Sequence, residues 1–184
     1  MTISVIIPVY NEEATIAEVV QQVARVPFNT EIIVVDDGST DATPRILRDG
    51  VRAEVDCLCT LPRNRGKGAA IREGLRHATG DIVLIQDADL ELLPEDYPQL
   101  LAPLFRGTAR VVYGSRFLRG RGGARWLTYF TNRALTWWAN LLFGTHLTDV
   151  AAGYKVFRAQ VLRDLPLQAE GFEFCPEVTA RLLR

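Results

Sequence analysis

Asp87 and Asp89 stand two residues apart at the close of the apolar run Ile82–Ile85. On an extended chain alternate side chains point the same way, so the two carboxylates converge and repel unless a cation lies between them. Oxygen ligands of that kind suit Mg²⁺ or Mn²⁺, ions that also take diphosphate oxygens. An Asp-x-Asp pair also caps turns and helices in many unrelated proteins, so its neighbours decide how it is read. Those neighbours are polar loops of one kind. Tyr10-Asn11-Glu12 follows Ile3–Val9, and Asp36-Asp37-Gly38-Ser39 follows Ile32–Val35. Asn64-Arg65-Gly66-Lys67-Gly68 follows Val55–Cys59, and Ser115-Arg116 stands at the end of Val111–Ser115.

Each loop offers a distinct chemistry beside a bland alternative. Asp36 and Asp37 can accept hydrogen bonds from a ribose or base, although Asp, Gly and Ser also favour any turn that enters a helix. Asp37 is the expected ligand contact of the two. The Asn64–Gly68 loop opens a helix, so its N–H groups and Lys67 could meet phosphate; a solvated lysine is the plain alternative. The loop is no Walker A motif, because Gly68 stands where Ser or Thr would follow the lysine. Arg116, Arg119, Arg121 and Arg125 lie among Gly120, Gly122 and Gly123. Guanidinium forks match phosphate oxygens, and Arg116 is the first candidate for an acceptor phosphate. Asp149 is either a helix cap or a catalytic base, and His146 reads as structural.

The elements that must position these loops follow from hydropathy. Ile3–Val9, Glu31–Asp36, Val55–Cys59, Ile82–Asp87 and Val111–Ser115 are β-branched runs, apolar on both faces, which belong in a mostly parallel sheet covered by helices. Glu13–Arg25, Pro44–Arg48, Lys67–Ala78 and Pro94–Phe105 carry helical spacing between them, with Pro44 and Pro94 at first helical positions. Alternation of this kind predicts a single α/β domain over residues 1–184, with ligands beyond the carboxyl ends of the strands. The glycines of a G-x-G-x-x-G loop are missing after Val9, which counts against a nicotinamide oxidoreductase.

The chain of 184 residues is 48% hydrophobic and 23% charged, with a net charge of −1. That balance excludes a general nucleic-acid binder. Charge is uneven: Arg106 to Arg133 contains a run of arginines and no acidic residue. Cys57, Cys59 and Cys175 have no metal-finger spacing and read as small apolar residues of a reduced, cytoplasmic protein. No stretch is long enough to span a bilayer. Trp126–Phe143 forms an amphipathic pattern with Trp126, Trp137, Trp138 and Leu141 on the apolar half and Asn132, Thr136 and Asn140 on the other. Such a helix can lie in a membrane interface, pack on the core, or join a second copy of the chain.

Together these motifs resemble family 2 glycosyltransferases of the GT-A fold. The likeness is to the branch with dolichol-phosphate mannose synthase and bacterial polyprenyl-phosphate glycosyltransferases. The matching stretches are Pro8–Glu13, Val34–Asp41, Asn64–Ala70, Gln86–Glu91, Tyr113–Phe117, Asp149–Phe157 and Glu170–Arg181. The resemblance implies an inverting transfer of a sugar from a nucleoside diphosphate, GDP or UDP, to a polyprenyl or dolichyl phosphate at the cytoplasmic face of a membrane. A saccharide or other soluble hydroxyl is the alternative acceptor, and a non-catalytic nucleotide-binding module is the alternative of another class. Pro8, Tyr10, Glu12, Val35, Asp36, Asp37, Lys67, Asp87 and Ala88 would hold the nucleotide. Asp87, Asp89 and Glu91 would hold Mg²⁺ or Mn²⁺, Arg116 would contact phosphate beside Arg119, Arg121 and Arg125, and Asp149 would handle acceptor or sugar. In that family the chain continues past the equivalent of Arg184 with a strand and basic residues that close over the donor, so either the sequence stops short of that segment or the site is incomplete.

Overall fold

The computed structural model describes residues 1–114, 134, 136–138, 140, 141, 144, 148, 149 and 153–183. Six strands form one sheet: β1 (Ile3–Val9), β2 (Thr30–Asp36), β3 (Cys57–Thr60), β4 (Ile82–Ile85), β5 (Val111–Gly114) and β6 (Tyr154–Arg158), in the order β3-β2-β1-β4-β6-β5. β1 pairs in parallel with both β2 and β4, and β2 with β3; β6 runs antiparallel to β4 and β5. The helices with bounds among the described residues are α1 (Ile16–Ala24), α2 (Thr43–Arg45), α3 (Lys67–His77), α4 (Tyr97–Phe105), α5 (Ala159–Arg163) and α6 (Phe174–Leu182).

Strands that are apolar throughout must be covered twice, and the core is accordingly in two layers. On one face Val5, Ile7, Val34 and Leu84 pack against Val19 and Val23 of α1 and Leu101 and Leu104 of α4. On the other, Ile6, Ile33, Val35 and Val83 meet Ala70 and Ile71 of α3, Leu162 of α5 and Phe174 and Val178 of α6. All seven residues of β1 are buried, as suits the strand between β2 and β4.

The hydropathy pattern locates five strands and misses β6. Tyr154–Arg158 pairs with Ile82–Ile85 and Val111–Gly114 in the opposite sense to them, and the charged, buried Lys155 interrupts its apolar run. Two boundaries also differ from expectation. Arg52–Glu54 forms a 3₁₀ turn, which delays β3 to Cys57. β4 stops at Ile85, because buried Gln86 folds the chain back: its side-chain amide donates to the carbonyls of Asp87 and Leu92, at 3.0 and 3.1 Å, and its oxygen accepts from the Tyr97 hydroxyl at 2.9 Å. Asp87 and Asp89 therefore sit in a turn and not on an extended strand, with Leu90 at φ +60°.

Within 126–143 the structure describes only some positions. Thr136, expected on the polar half, is buried, while Trp137, Trp138 and Leu141 are exposed, at 59%, 55% and 61%. The two indoles meet edge to face, 5.4 Å between centroids. These three side chains are not core residues. Trp126, Phe143 and His146 lie outside the described residues. Among the described residues no helix is long and apolar enough to cross a membrane.

Candidate active site

A cleft of about 280 Å³ opens at the carboxyl ends of the parallel strands. Its lining includes Pro8, Tyr10 and Glu12 from the loop after β1, Asp37 after β2, Lys67 at the start of α3, and Asp87, Ala88 and Asp89 after β4. Eight residues expected to hold donor or metal thus meet in one place. Val35, Asp36 and Glu91 are not among the residues that line it. Val35 faces the core beneath α3, and Glu91 is exposed, its N–H donating to Asp89 Oδ1 at 3.1 Å.

The first two loops are fastened to each other before they meet any ligand. Asn11 takes φ +54°, which lets its side-chain oxygen accept from the Thr40 N–H at 2.8 Å while its own N–H donates to Ser39 Oγ at 2.9 Å. The Glu12 N–H donates to Thr43 Oγ1, and Glu13 Oε2 accepts from the Ala42 N–H. Asp36 is 1% exposed; one oxygen accepts from the Ser39 N–H, and the other has no partner among the described residues. Local side-chain bonds of this kind replace the ladder that these loops lack.

Asp37 has a structural task that the sequence does not reveal. It is 3% exposed, and its carboxylate accepts from the N–H groups of Arg65 and Gly66 at 2.8 and 2.7 Å. The N–H groups of Gly68 and Ala69 donate to the carbonyls of Gly171 and Glu170 at 3.2 and 2.8 Å. The expectation that the loop amides meet phosphate is therefore corrected for Arg65, Gly66 and Gly68, whose N–H groups are spent within the protein, while Lys67 carries positive charge into the cleft. Both glycines are needed for that packing. A Cβ on Gly66, at φ +101°, would stand 2.6 Å from the Glu170 carbonyl, and one on Gly68 2.5 Å from that of Ala169. Glu177 steadies the same segment by accepting from the N–H groups of Gln168 and Ala169, and Arg65 pairs with Glu170.

Lys67 Nζ lies 2.5 Å from Asp87 Oδ1, with both side chains about four-fifths buried. Two carboxylates in one turn are the donor set that Mg²⁺ or Mn²⁺ uses when substrate phosphates and water complete its shell. Asp87 and Asp89 fit that requirement, and Lys67 occupies Asp87 in the meantime. Gly153 packs against the same group, its missing Cβ being 3.2 Å from Asp87 Oδ2.

Asp149 is elsewhere. It is 2% exposed and lines a second cavity, of about 590 Å³, with Arg110, Tyr113, Thr148 and Thr179 among its walls. Arg116, Arg119, Arg121 and Arg125 lie outside the described residues.

Two residues near the cleft escape sequence reasoning. Phe172 lines it while 79% exposed, an aromatic ring held in water. Its only sequence signal is a phenylalanine set between Gly171 and Glu173. Lys155 of β6 is 1% exposed, donates to Cys175 Sγ at 3.3 Å and lies 5.1 Å above the Tyr113 ring. Burial lowers its pKa, Cys175 opposes that, Lys67 adds to it and Asp87 opposes it, so Lys155 is felt by the cleft from beneath. It hides in sequence because β6 itself does.

Comparison with known proteins accounts for this arrangement. The chain is 32% identical over 186 residues to the dodecaprenyl-phosphate galacturonate synthase of Rhizobium johnstonii, covering 96% of this chain and 53% of that protein. It is 31% identical over 180 residues to the undecaprenyl-phosphate 4-deoxy-4-formamido-L-arabinose transferase of Aeromonas hydrophila, with 95% and 54% covered. The chain thus spans about half the length of these curated relatives. Among solved structures it resembles glucosyl-3-phosphoglycerate synthase from Mycobacterium tuberculosis in complex with Mn²⁺, UDP-glucose and phosphoglyceric acid. That likeness has a TM-score of 0.76 and 30% identity over 95% of this chain and 62% of the other. The complex of the same enzyme with Mg²⁺ and UDP gives a TM-score of 0.75. The fold is the GT-A α/β fold that the motifs led one to expect. The model of the family described as "Glycosyl transferase family 2" matches residues 4–165, and the chain belongs to that family.

Proposed function

We propose that this chain is the donor-binding and catalytic part of an inverting glycosyltransferase that moves a sugar from a nucleoside diphosphate to a polyprenyl phosphate. The observation that carries the reading is the convergence of Pro8, Tyr10, Glu12, Asp37, Lys67, Asp87 and Asp89, from four loops, on one cleft of a family 2 chain. Tyr10, Glu12 and Asp37 form the end that would take the nucleoside. Lys67, Asp87 and Asp89 form the end that would take the diphosphate. A divalent cation held by Asp87 and Asp89 would offset the negative charge that grows on the leaving diphosphate. Lys67, which pairs with Asp87 in the structure, would be placed to pair with a phosphate oxygen. Glu91 lies outside the lining and would reach the ion only after its turn rearranges.

The acceptor is argued from the names of the relatives and from charge. Both curated relatives are named for polyprenyl phosphates. The second pKa of a phosphate monoester is ~6, so such an acceptor is ionised at neutral pH and needs positioning more than it needs a base. Asp149, the candidate base, lines the other cavity. Glu12 accepts from the Thr15 hydroxyl and Asp37 from two amides, so both carboxylates are engaged within the protein. Exposed Trp137, Trp138 and Leu141 suit contact with a membrane interface, where a polyprenyl chain would be presented on the cytoplasmic side. The four arginines from Arg116 to Arg125 are the proposed phosphate holders.

A soluble acceptor is the second reading, favoured by the likeness to glucosyl-3-phosphoglycerate synthase. The test supplies UDP- or GDP-sugars with Mn²⁺ and either polyprenyl phosphate or soluble sugars and phosphoglycerate. Label on the lipid supports the first reading, and label only on soluble acceptors overturns it. Asp89→Ala should cut transfer by orders of magnitude; a protein with no turnover to lose would instead be a nucleotide-binding module.

A further inference from the structure

The edge of the sheet farthest from β5 carries a cluster that the transferase reading does not use. Cys57 and Cys59 alternate on β3, so their side chains share a face, and that face looks toward the last turns of α3. Their sulfurs are 3.6 Å apart. His77, the last residue of α3, completes a trio whose ligand atoms all lie within 4.8 Å of one another. Among the described residues no other group of three or more such side chains converges so closely. Glu73, one turn earlier, meets the imidazole, with Nε2 and Oε1 3.3 Å apart.

We infer that Cys57, Cys59 and His77 form a binding site for one soft divalent ion of the zinc type, with the Glu73 carboxylate steadying the imidazole. Three points of geometry and chemistry support the assignment. Zinc–sulfur bonds of about 2.3 Å at a tetrahedral angle put two thiolates about 3.8 Å apart, close to the separation found here. That separation is well beyond a disulfide bond of about 2.05 Å. Ligating histidines ordinarily bond their ring to a carboxylate, and Glu73 is already there. Two sulfurs and an imidazole select a soft or borderline ion, whereas Asp87 and Asp89 offer only oxygen. The two sites are also apart: α3 runs from Lys67 at the cleft to His77, a rise of about 15 Å at about 1.5 Å per residue. The ion would tie the end of α3 to β3, a strand with only one neighbour in the sheet.

The test uses the full chain, reduced with a phosphine, with excess Mg²⁺ to fill oxygen sites. Titration with Co²⁺ should give one equivalent of thiolate-to-metal charge-transfer absorption, displaced by Zn²⁺. Cys57→Ser and Cys59→Ser should each lose that band, and His77→Ala should weaken binding at least tenfold, while Cys175→Ser and Asp89→Ala keep it. Because the serine variants alter a packed strand, the half-exposed His77 supplies a second arm: Zn²⁺ should raise the Tm of the unaltered chain and not that of His77→Ala. Absence of the band at one equivalent, its survival in Cys59→Ser, or equal Zn²⁺ shifts with and without His77 would overturn the assignment.

Discussion

Asp37→Asn separates a residue that holds the site together from one that merely touches the ligand. In the native chain two amides donate to one carboxylate at 2.8 and 2.7 Å, with the side chain 3% exposed. Hydrogen bonds to a charged group contribute about 1.5–3 kcal/mol each, and a neutral one about 1. Asparagine keeps one acceptor, now uncharged, and turns an NH₂ toward the second amide. The loss is one charge-assisted bond plus the weakening of the other, about 3 kcal/mol in all. In a chain of this size that is a fall in Tm of about 6–12 °C. Thermal and urea unfolding without nucleotide measure it, and isothermal titration with UDP or GDP and Mn²⁺ gives the affinity. We expect both stability and affinity to fall, since Lys67 is carried by the loop that Asp37 holds. A variant as stable as the parent that no longer binds nucleotide would refute the structural role and leave Asp37 a direct ligand contact.

Other perturbations divide the remaining claims. Phe172→Ala should leave stability within about 0.5 kcal/mol, yet weaken nucleotide binding about 5- to 100-fold if the ring stacks on the base; unchanged affinity by titration would remove Phe172 from the site. Gly68→Ala places a methyl 2.5 Å from the Ala169 carbonyl and should cost about 2 kcal/mol, a drop of about 4–8 °C by calorimetry, whereas Gly50→Ala, with 3.7 Å to Ile46, should be nearly silent. Glu31 gives the pH prediction. Burial alone would raise its carboxyl, but hydrogen bonds from Ser4, Thr79 and Gly80 hold it below its ordinary value. Its contribution is therefore complete above the unfolded pKa and is lost as pH falls through the lower folded one. Urea unfolding of Glu31→Gln at neutral pH and at about pH 3 should show a deficit at neutrality that shrinks in acid.

What the sequence discloses is the part governed by local pattern. Strands buried on both faces announce a covered parallel sheet, which β1, β2 and β4 form, and the polar loops at their ends meet at one cleft. β6 is hidden because it is only five residues long and carries a charged residue in its middle, and Lys155 is hidden with it. The Asp-x-Asp geometry is set by Gln86, whose buried amide ends the strand sooner than hydropathy suggests. The amides of the Asn64–Gly68 loop point to phosphate on local grounds, and it takes Asp37 and the distant carbonyl of Gly171 to assign three of them otherwise. Cys57 and Cys59 read as apolar filler until the end of α3 is laid beside them.

The dependence of that loop on residues 167–177 has a consequence for how the protein is made. All four loops that build the cleft leave the ribosome well before the carbonyls of Ala169–Gly171, yet the amides at the start of α3 have no other partner until those carbonyls arrive. Contacts so distant along the chain are costly to close and form late. A nascent chain should thus acquire its sheet before the loop that carries Lys67 is set, and the proposed capacity to hold a nucleotide only once residues 169–171 have emerged.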